Sequence, residues 1–365
     1  MKKLPMNMVE FAQGNEAFYS SVLDYFAHAR AIKEGKTVGD FDTSVSFAEK
    51  EKAVNEALIK EIGRKSKFDI SEFSAAEMAT NPSVNWATFA IAGALVDMIL
   101  PQTLIQSIGL YTEVHNIGIG DSASIVIKPR DLFVVTKAGM GKRNAELKRQ
   151  FNGQVNIVPE NHMVTVYVDL YRVLAGLDSL ADFMAKCVQS VESAIAVEAY
   201  TAFDTAMAAL PTVGDTALKV AGYSADALVG LAQKVSAYNG GAAAVIVGTK
   251  LALSKVLPAN SNFRYSLDSE YVKLGYIKDF MGYSVIELPQ VADWATPFTL
   301  ALDDTHLYVL SPTQNKLLHL ALAGDTMSYV NGQFGNADLT QEATLYKKWA
   351  VAVATNAIAG IITLP

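Results

Sequence analysis

The sequence predicts an α+β fold, and three observations predict it. Apolar residues recur with period two between Asp121 and Leu170, with one unbroken helical period from Leu177 to Leu210, and in alternating helix and strand patterns from Ser224 to Leu310. A chain of 365 residues that is 51% hydrophobic and 18% charged has the apolar content for two or three compact units. It lacks the composition of a disordered polymer.

From Met1 to about Phe73 charges of both signs are frequent, and the segment 1–75 is expected as an extended N-terminal arm. Helical fragments at Phe18–Ile32 and Phe47–Ile62 are separated by Gly35, Gly39 and Asp40. In the second fragment Ala53, Leu58 and Ile62 form a narrow stripe, while Glu49, Lys52, Glu56 and Lys60 face water. Such a stripe suits docking on a partner surface and equally suits a solvated helix. Trp86 to Leu100 is the most apolar stretch. It carries Asp97, stops at Pro101 and is short of the roughly 20 apolar residues that span a bilayer, so it is expected as a buried segment. At the start of the sequence Lys2 and Lys3 precede Leu4 and Pro5, but Asn7, Glu10 and Gln13 interrupt what would have to be the apolar core of an export signal, so none is expected.

In the period-two region Ile125, Ile127, Phe133 and Val135 lead out, and Val155, Ile157, Val164, Val166 and Val168 lead back. These are expected as the two long strands of one hairpin over 121–170. Its connection, Lys137 to Arg149, is too long and too charged for a tight turn and makes a basic tip of Lys142, Arg143, Lys148 and Arg149. An isolated hairpin is only marginally stable, so this one needs a surface to lie on. Next comes one helix, Leu177 to Leu210, with Asp178 as N-cap and Pro211 and Gly214 as stop signals. Leu180, Met184, Val188, Val191, Ile195, Ala199 and Ala202 share a stripe, and at 1.5 Å per residue the element is about 50 Å long.

The following block is expected as a helix-covered sheet. Ser224 caps Ala225–Tyr238, Asn239, Gly240 and Gly241 end that helix, Ala243–Val247 is a strand, and Thr249 caps a helix that stops at Pro258. Strands are expected at Phe263–Leu267, Gly275–Ile277 and Tyr283–Leu288. A hairpin is expected from Phe298–Leu302 to His306–Leu310, turned at Asp303 and Asp304. Beyond Asn315 strand patterns return at Leu317–Leu322, Trp349–Ala354 and Ala357–Leu364.

The motifs of common enzymes are incomplete. Around Gly139 and Lys142 the first glycine of a phosphate loop is replaced by Thr136 and the hydroxyl residue by Arg143. Gly118 and Gly120 lack the third glycine of a dinucleotide fingerprint. His28, His115, His162, His306 and His319 are scattered, without zinc-ligand spacing. Cys187, the single cysteine, lies beside the apolar stripe and is expected to be buried, which fits a reducing compartment. A net charge of −7 gives no general grip on nucleic acid. No catalytic residue, cofactor or metal is therefore expected.

The order of arm, hairpin, long helix, α/β unit and returning strands resembles the major capsid proteins of tailed bacteriophages, which have the Hong Kong 97 fold. Ile99-Leu-Pro-Gln-Thr-Leu104, Gly275 to Val285 and Lys348 to Asn356 are similar to segments of such coat proteins. The resemblance covers nearly the whole chain. It implies an N-terminal arm at 1–75, entry to a peripheral (P) domain at 76–120 and an E-loop hairpin at 121–170. It further implies a P-domain with its spine helix at 171–214, an axial (A) domain at 215–311 and returning P-domain strands at 312–365.

By that resemblance the expected function is an icosahedral shell of pentamers and hexamers, assembled in the host cytoplasm around double-stranded DNA, with no membrane partner. Other copies of the chain are the main partners; scaffolding, portal and decoration proteins are further ones. The tip residues Lys142, Arg143, Lys148 and Arg149 are expected at intersubunit contacts. Some such shells are cross-linked by a Lys, an Asn and a Glu; Lys142, Asn336 and Glu342 have those types but match no firm motif, and ordinary surface roles are expected for them. Two alternatives stand: an encapsulin-type nanocompartment shell and an α/β enzyme.

Overall fold

The computed structural model describes residues 16–33, 39, 41–67, 77, 80–107, 112–127, 152–169, 172–173, 175, 177–210, 218–257, 273–296, 298–311, 316–330, 341–354 and 357–365. The basic hairpin tip, the strand expected at Phe263–Leu267 and Asn336 lie outside these residues.

Two helices open the described chain, α1 (Glu16–Lys33) and α2 (Phe47–Ser66). A capping box starts α2: Ser46 Oγ accepts from the Glu49 amide, and the Glu49 carboxylate accepts from the Ser46 amide at 3.2 Å. The buried stripe of α2 is Val54, Leu58 and Ile62; Ala53 is exposed, so the stripe runs one residue later than expected. Neither of the two expected environments describes α2. With Val22, Tyr25 and Phe26 of α1 it joins the main core of its own chain, so this part of the expected arm is folded in rather than extended.

Helix α3 (Pro82–Ser107) buries Phe89, Ile91, Leu95, Val96 and Ile99. It is long and apolar enough to cross a membrane, yet most of its apolar stretch is enclosed by the protein. It does not stop at Pro101 but continues to Ser107. The proline costs the helix one donor, the one that would serve the carbonyl of Asp97.

The hairpin region divides. Strand β1 (Thr112–Ile117) leads to β2 (Ala123–Ile127), which pairs antiparallel with β3 (Gly153–Ile157). The returning strand is not continuous: Val158 and Pro159 interrupt it, and β4 (Glu160–Val168) belongs to a different sheet. Proline has no ladder donor, so a break there is physically expected.

Helix α4 (Leu180–Ala208) is the long helix, about 44 Å at 1.5 Å per residue. Its cap is Ser179, not Asp178: the Ser179 hydroxyl accepts from the Asp182 amide at 3.2 Å. Asp178 instead pairs with Arg172 at 2.8 Å. The expected stripe is buried except for Ala202, which is half-buried. Cys187 is buried, and burial pushes its thiol up to about 12, so it is chemically quiet.

The remaining elements are β5 (Lys219–Ala221), α5 (Ala225–Tyr238), β6 (Val245–Gly248), α6 (Lys250–Ser254), β7 (Asp279–Phe280), β8 (Tyr283–Glu287), β9 (Ala292–Asp293), β10 (Thr299–Leu300), β11 (His306–Leu310), β12 (Leu318–Val330), β13 (Gln341–Val353) and β14 (Gly360–Thr363). Ser224 and Thr249 cap α5 and α6 as expected. Gly275–Ile277 is not a strand; pairing begins at Asp279. The expected hairpin from Phe298 to Leu310 does not form either. β10 pairs with β9, whereas β11 is a central strand between β14 and β6.

One six-stranded sheet runs β5-β14-β11-β6-β8-β7 and packs under α5 and α6. The other has four strands in the order β1-β12-β13-β4, with β1 parallel to β12 and the rest antiparallel. The returning segment 312–365 is thus shared between sheets, since β12 and β13 build the second while β14 closes the first.

Candidate assembly surface and histidine cluster

Period two gives the four-stranded sheet two different faces. Leu318, Leu320 and Leu322 of β12, with Leu345, Trp349 and Val351 of β13, face α3 and α4 in the main core. A buried ion pair crosses this face. Lys347 Nζ lies 2.5 Å from Asp97 Oδ1 of α3 and donates to the Gly324 carbonyl at 2.8 Å. Asp97 also accepts from the Thr326 amide at 2.7 Å and from its hydroxyl at 2.5 Å. A bulge between Ala323 and Met327 turns these groups toward α3. Gly324 sits there at φ +61, and a Cβ at that position would come within 2.1 Å of Ile119.

The opposite face differs at its two ends. At one end Ala123 and Ile157 of the β2–β3 hairpin pack on Ala321, flanked by Ala350 and Ala352, so the base of the hairpin is anchored on the sheet. At the other end Met163 of β4 and Met327 of β12 both stand opposite Tyr346 of β13, and Thr165 and Tyr329 both stand opposite Thr344. A contact of 3.1 Å between the Thr165 and Thr344 hydroxyls confirms the shared face. Met163, Tyr167, Met327 and Tyr329 are exposed there, an unusual concentration of large apolar side chains on a sheet. A groove of about 1210 Å³ along α4, with exposed Trp294 on its rim, is a further open apolar surface.

Glu342, the one described member of the cross-link trio, stands opposite Tyr167 on β4. Lys142, Asn336 and the other tip residues, Arg143, Lys148 and Arg149, lie outside the described residues.

The histidines are not all scattered. Parallel pairing of β1 with β12 places Glu113 opposite His319, and His115 lies two residues further along the same face. His115 Nε2 is 3.1 Å from His319 Nδ1, and Glu113 Oε2 is 3.7 Å from the same nitrogen. His319 is buried, and its Nε2 is 2.9 Å from the Ala354 carbonyl. Burial holds its imidazole below the ordinary histidine value. No spacing in the sequence could reveal this cluster, because its members meet only through pairing of distant strands.

The family model described as "SPbeta prophage-derived putative capsid protein YonB" matches residues 28–363. No curated protein matches the sequence. Among solved structures, the bacteriophage PhiM1 mature capsid is 12% identical, with 70% of this chain and 85% of that one covered and a TM-score of 0.46. The capsid of a native GTA particle is 15% identical, with 71% and 89% covered and a TM-score of 0.47. The capsid of cyanophage P-SCSP1u is 11% identical, with 70% and 86% covered and a TM-score of 0.46. Likenesses at this level add no weight of their own; the family match does. The molecule is by class a phage capsid protein. It belongs to the family of the prophage capsid protein YonB.

Proposed function

We propose that this capsid protein assembles with copies of itself, as pentamers and hexamers, into an icosahedral shell around double-stranded DNA. The observation that carries the proposal is the exposed apolar face of the four-stranded sheet, Met163, Tyr167, Met327 and Tyr329, beside the anchored base of the β2–β3 hairpin. Apolar surface of this kind is stabilised by burial at about 25 cal/mol per Å², and a neighbouring copy supplies that burial. The net charge of −7 suits a container that encloses DNA without gripping it.

In this proposal the segment 121–170 is the E-loop. Its tip residues Lys142, Arg143, Lys148 and Arg149 meet acidic groups of an adjacent subunit, each exposed pair contributing about 0–1 kcal/mol. Residues 215–311, completed by β14, form the axial domain around the capsomer centre. The four-stranded sheet with α3 and α4 forms the peripheral domain of a Hong Kong 97-type subunit. Scaffolding, portal and decoration proteins are the accessory partners, and assembly takes place in the host cytoplasm.

The test is to express the full chain, image the soluble fraction by electron microscopy and measure particle mass. Capsomer rings or closed polyhedra are expected. Monomers that persist in the presence of a co-encoded scaffold would overturn the proposal. Shells that enclose a protein cargo in place of DNA would assign the chain to a nanocompartment.

A further inference from the structure

We propose that Glu113, His115 and His319 form a binding site for one divalent ion of the zinc type, which fastens strand β1 to β12. The argument starts from the proton on His319. A carbonyl oxygen only accepts, so the 2.9 Å contact from His319 Nε2 to Ala354 places the ring proton on Nε2. Nδ1 therefore carries a bare lone pair, aimed at His115 and Glu113. An imidazole whose second nitrogen donates to a backbone carbonyl has the orientation that metal-bound histidines commonly show.

The spacing agrees with coordination. Tetrahedral zinc with ligands at about 2.0–2.1 Å separates neighbouring donor atoms by roughly 3.3 Å. The two separations here, 3.1 Å and 3.7 Å, bracket that figure, and all three donor atoms lie within 4.8 Å of one another. With no ion bound, one of the two facing nitrogens must carry a proton to bridge the 3.1 Å gap, and His115 Nε2 is the one free to do so. Moving that proton to His115 Nδ1 frees the second lone pair without changing the charge of either ring. Two neutral imidazoles and one carboxylate make a donor set suited to zinc or cobalt, with a fourth position open to water.

The site has an entrance and a mechanical role. Glu113 is half exposed while His319 is buried, so an ion can enter from solvent and end against a fixed ligand. Among the described strands β1 lies at the edge of its sheet, paired with β12, and leads through Ile117 into β2. A metal bridge here would tie the root of the hairpin to a strand contributed from the far end of the chain.

The experiment uses untagged full-length protein, stripped with a chelator, reloaded with zinc or cobalt(II) and dialysed exhaustively. Elemental analysis is expected to give one zinc per chain, and cobalt(II) the visible absorption of a tetrahedral site. His115→Gln and the more exposed Glu113→Gln are each expected to weaken zinc binding at least about tenfold. His162→Gln, on the other face of the sheet, is expected to leave binding unchanged. Circular dichroism checks that each variant is folded, and Glu113→Gln serves if His115→Gln is not. Wild-type protein that retains no ion, or folded Glu113→Gln that binds zinc as the wild type does, would overturn the proposal.

Discussion

Replacing Lys347 by methionine isolates the value of one buried charge pair. Lys347 and Asp97 are 8% and 9% exposed, so the substitution leaves a carboxylate inside the core without its counter-charge. Breaking a buried pair from one side typically costs about 3–5 kcal/mol. The two hydrogen bonds from Thr326 survive and pull the cost toward the low end, while the Gly324 carbonyl loses its donor, which adds about 1 kcal/mol. The expected loss is about 3–4 kcal/mol. Arg172→Ala is the control: that pair has comparable geometry, but its members are 52% and 49% exposed, so solvent already screens the charges and little stability should be lost. Urea unfolding followed by tryptophan fluorescence reads both, since Trp349 is stacked on His162 at 3.8 Å in the same sheet. With a slope of about 3 kcal/mol per molar, the Lys347→Met midpoint should fall by roughly 1 M. A midpoint shift no larger than that of Arg172→Ala would refute the reasoning. The double variant Asp97→Leu, Lys347→Met should recover part of the loss, because the orphaned charge is then gone.

Gly324→Ala should destabilise the subunit by about 1–3 kcal/mol, through strain at a positive φ and the clash with Ile119; Ile119→Ala in the same chain should restore part of it on unfolding. Ser179→Ala should cost about 1 kcal/mol as a lost helix cap, and Asp178→Ala less; equal effects would return the cap to Asp178. Cys187 should resist a thiol reagent at pH 8 in the native protein and react once unfolded, since burial leaves almost no thiolate; rapid native labelling would contradict its placement.

Local chemistry was readable wherever a segment's neighbours in sequence decide its structure. Ser224, Asn239 and Gly240 delimit α5 because caps act within a few residues, and the α4 stripe follows from its own periodicity. Pairing partners were not readable in the same way. His306–Leu310 has the pattern of a hairpin strand, yet it gains more inside a sheet, between neighbours from residues 245–248 and 360–363. Val158 and Pro159 end one pairing and begin another, though hydrophobic alternation hardly changes across them. The shift from Ala53 to Val54 shows a stripe decided by what α1, α3 and α4 present to it. The cluster of Glu113, His115 and His319 is the extreme case, since its ligands meet only after β1 finds β12.

The place of β14 sets a timetable for synthesis. Its flanks are β5 and β11, both translated earlier, and between β11 and β14 the ribosome must still make β12 and β13. Throughout that interval, among the described residues, one side of β11 has no partner strand and neither has β5. An interrupted chain therefore leaves β11 as a raw edge where a finished one has it paired on both sides. Such a product differs from the complete subunit in the unit proposed to surround the capsomer centre.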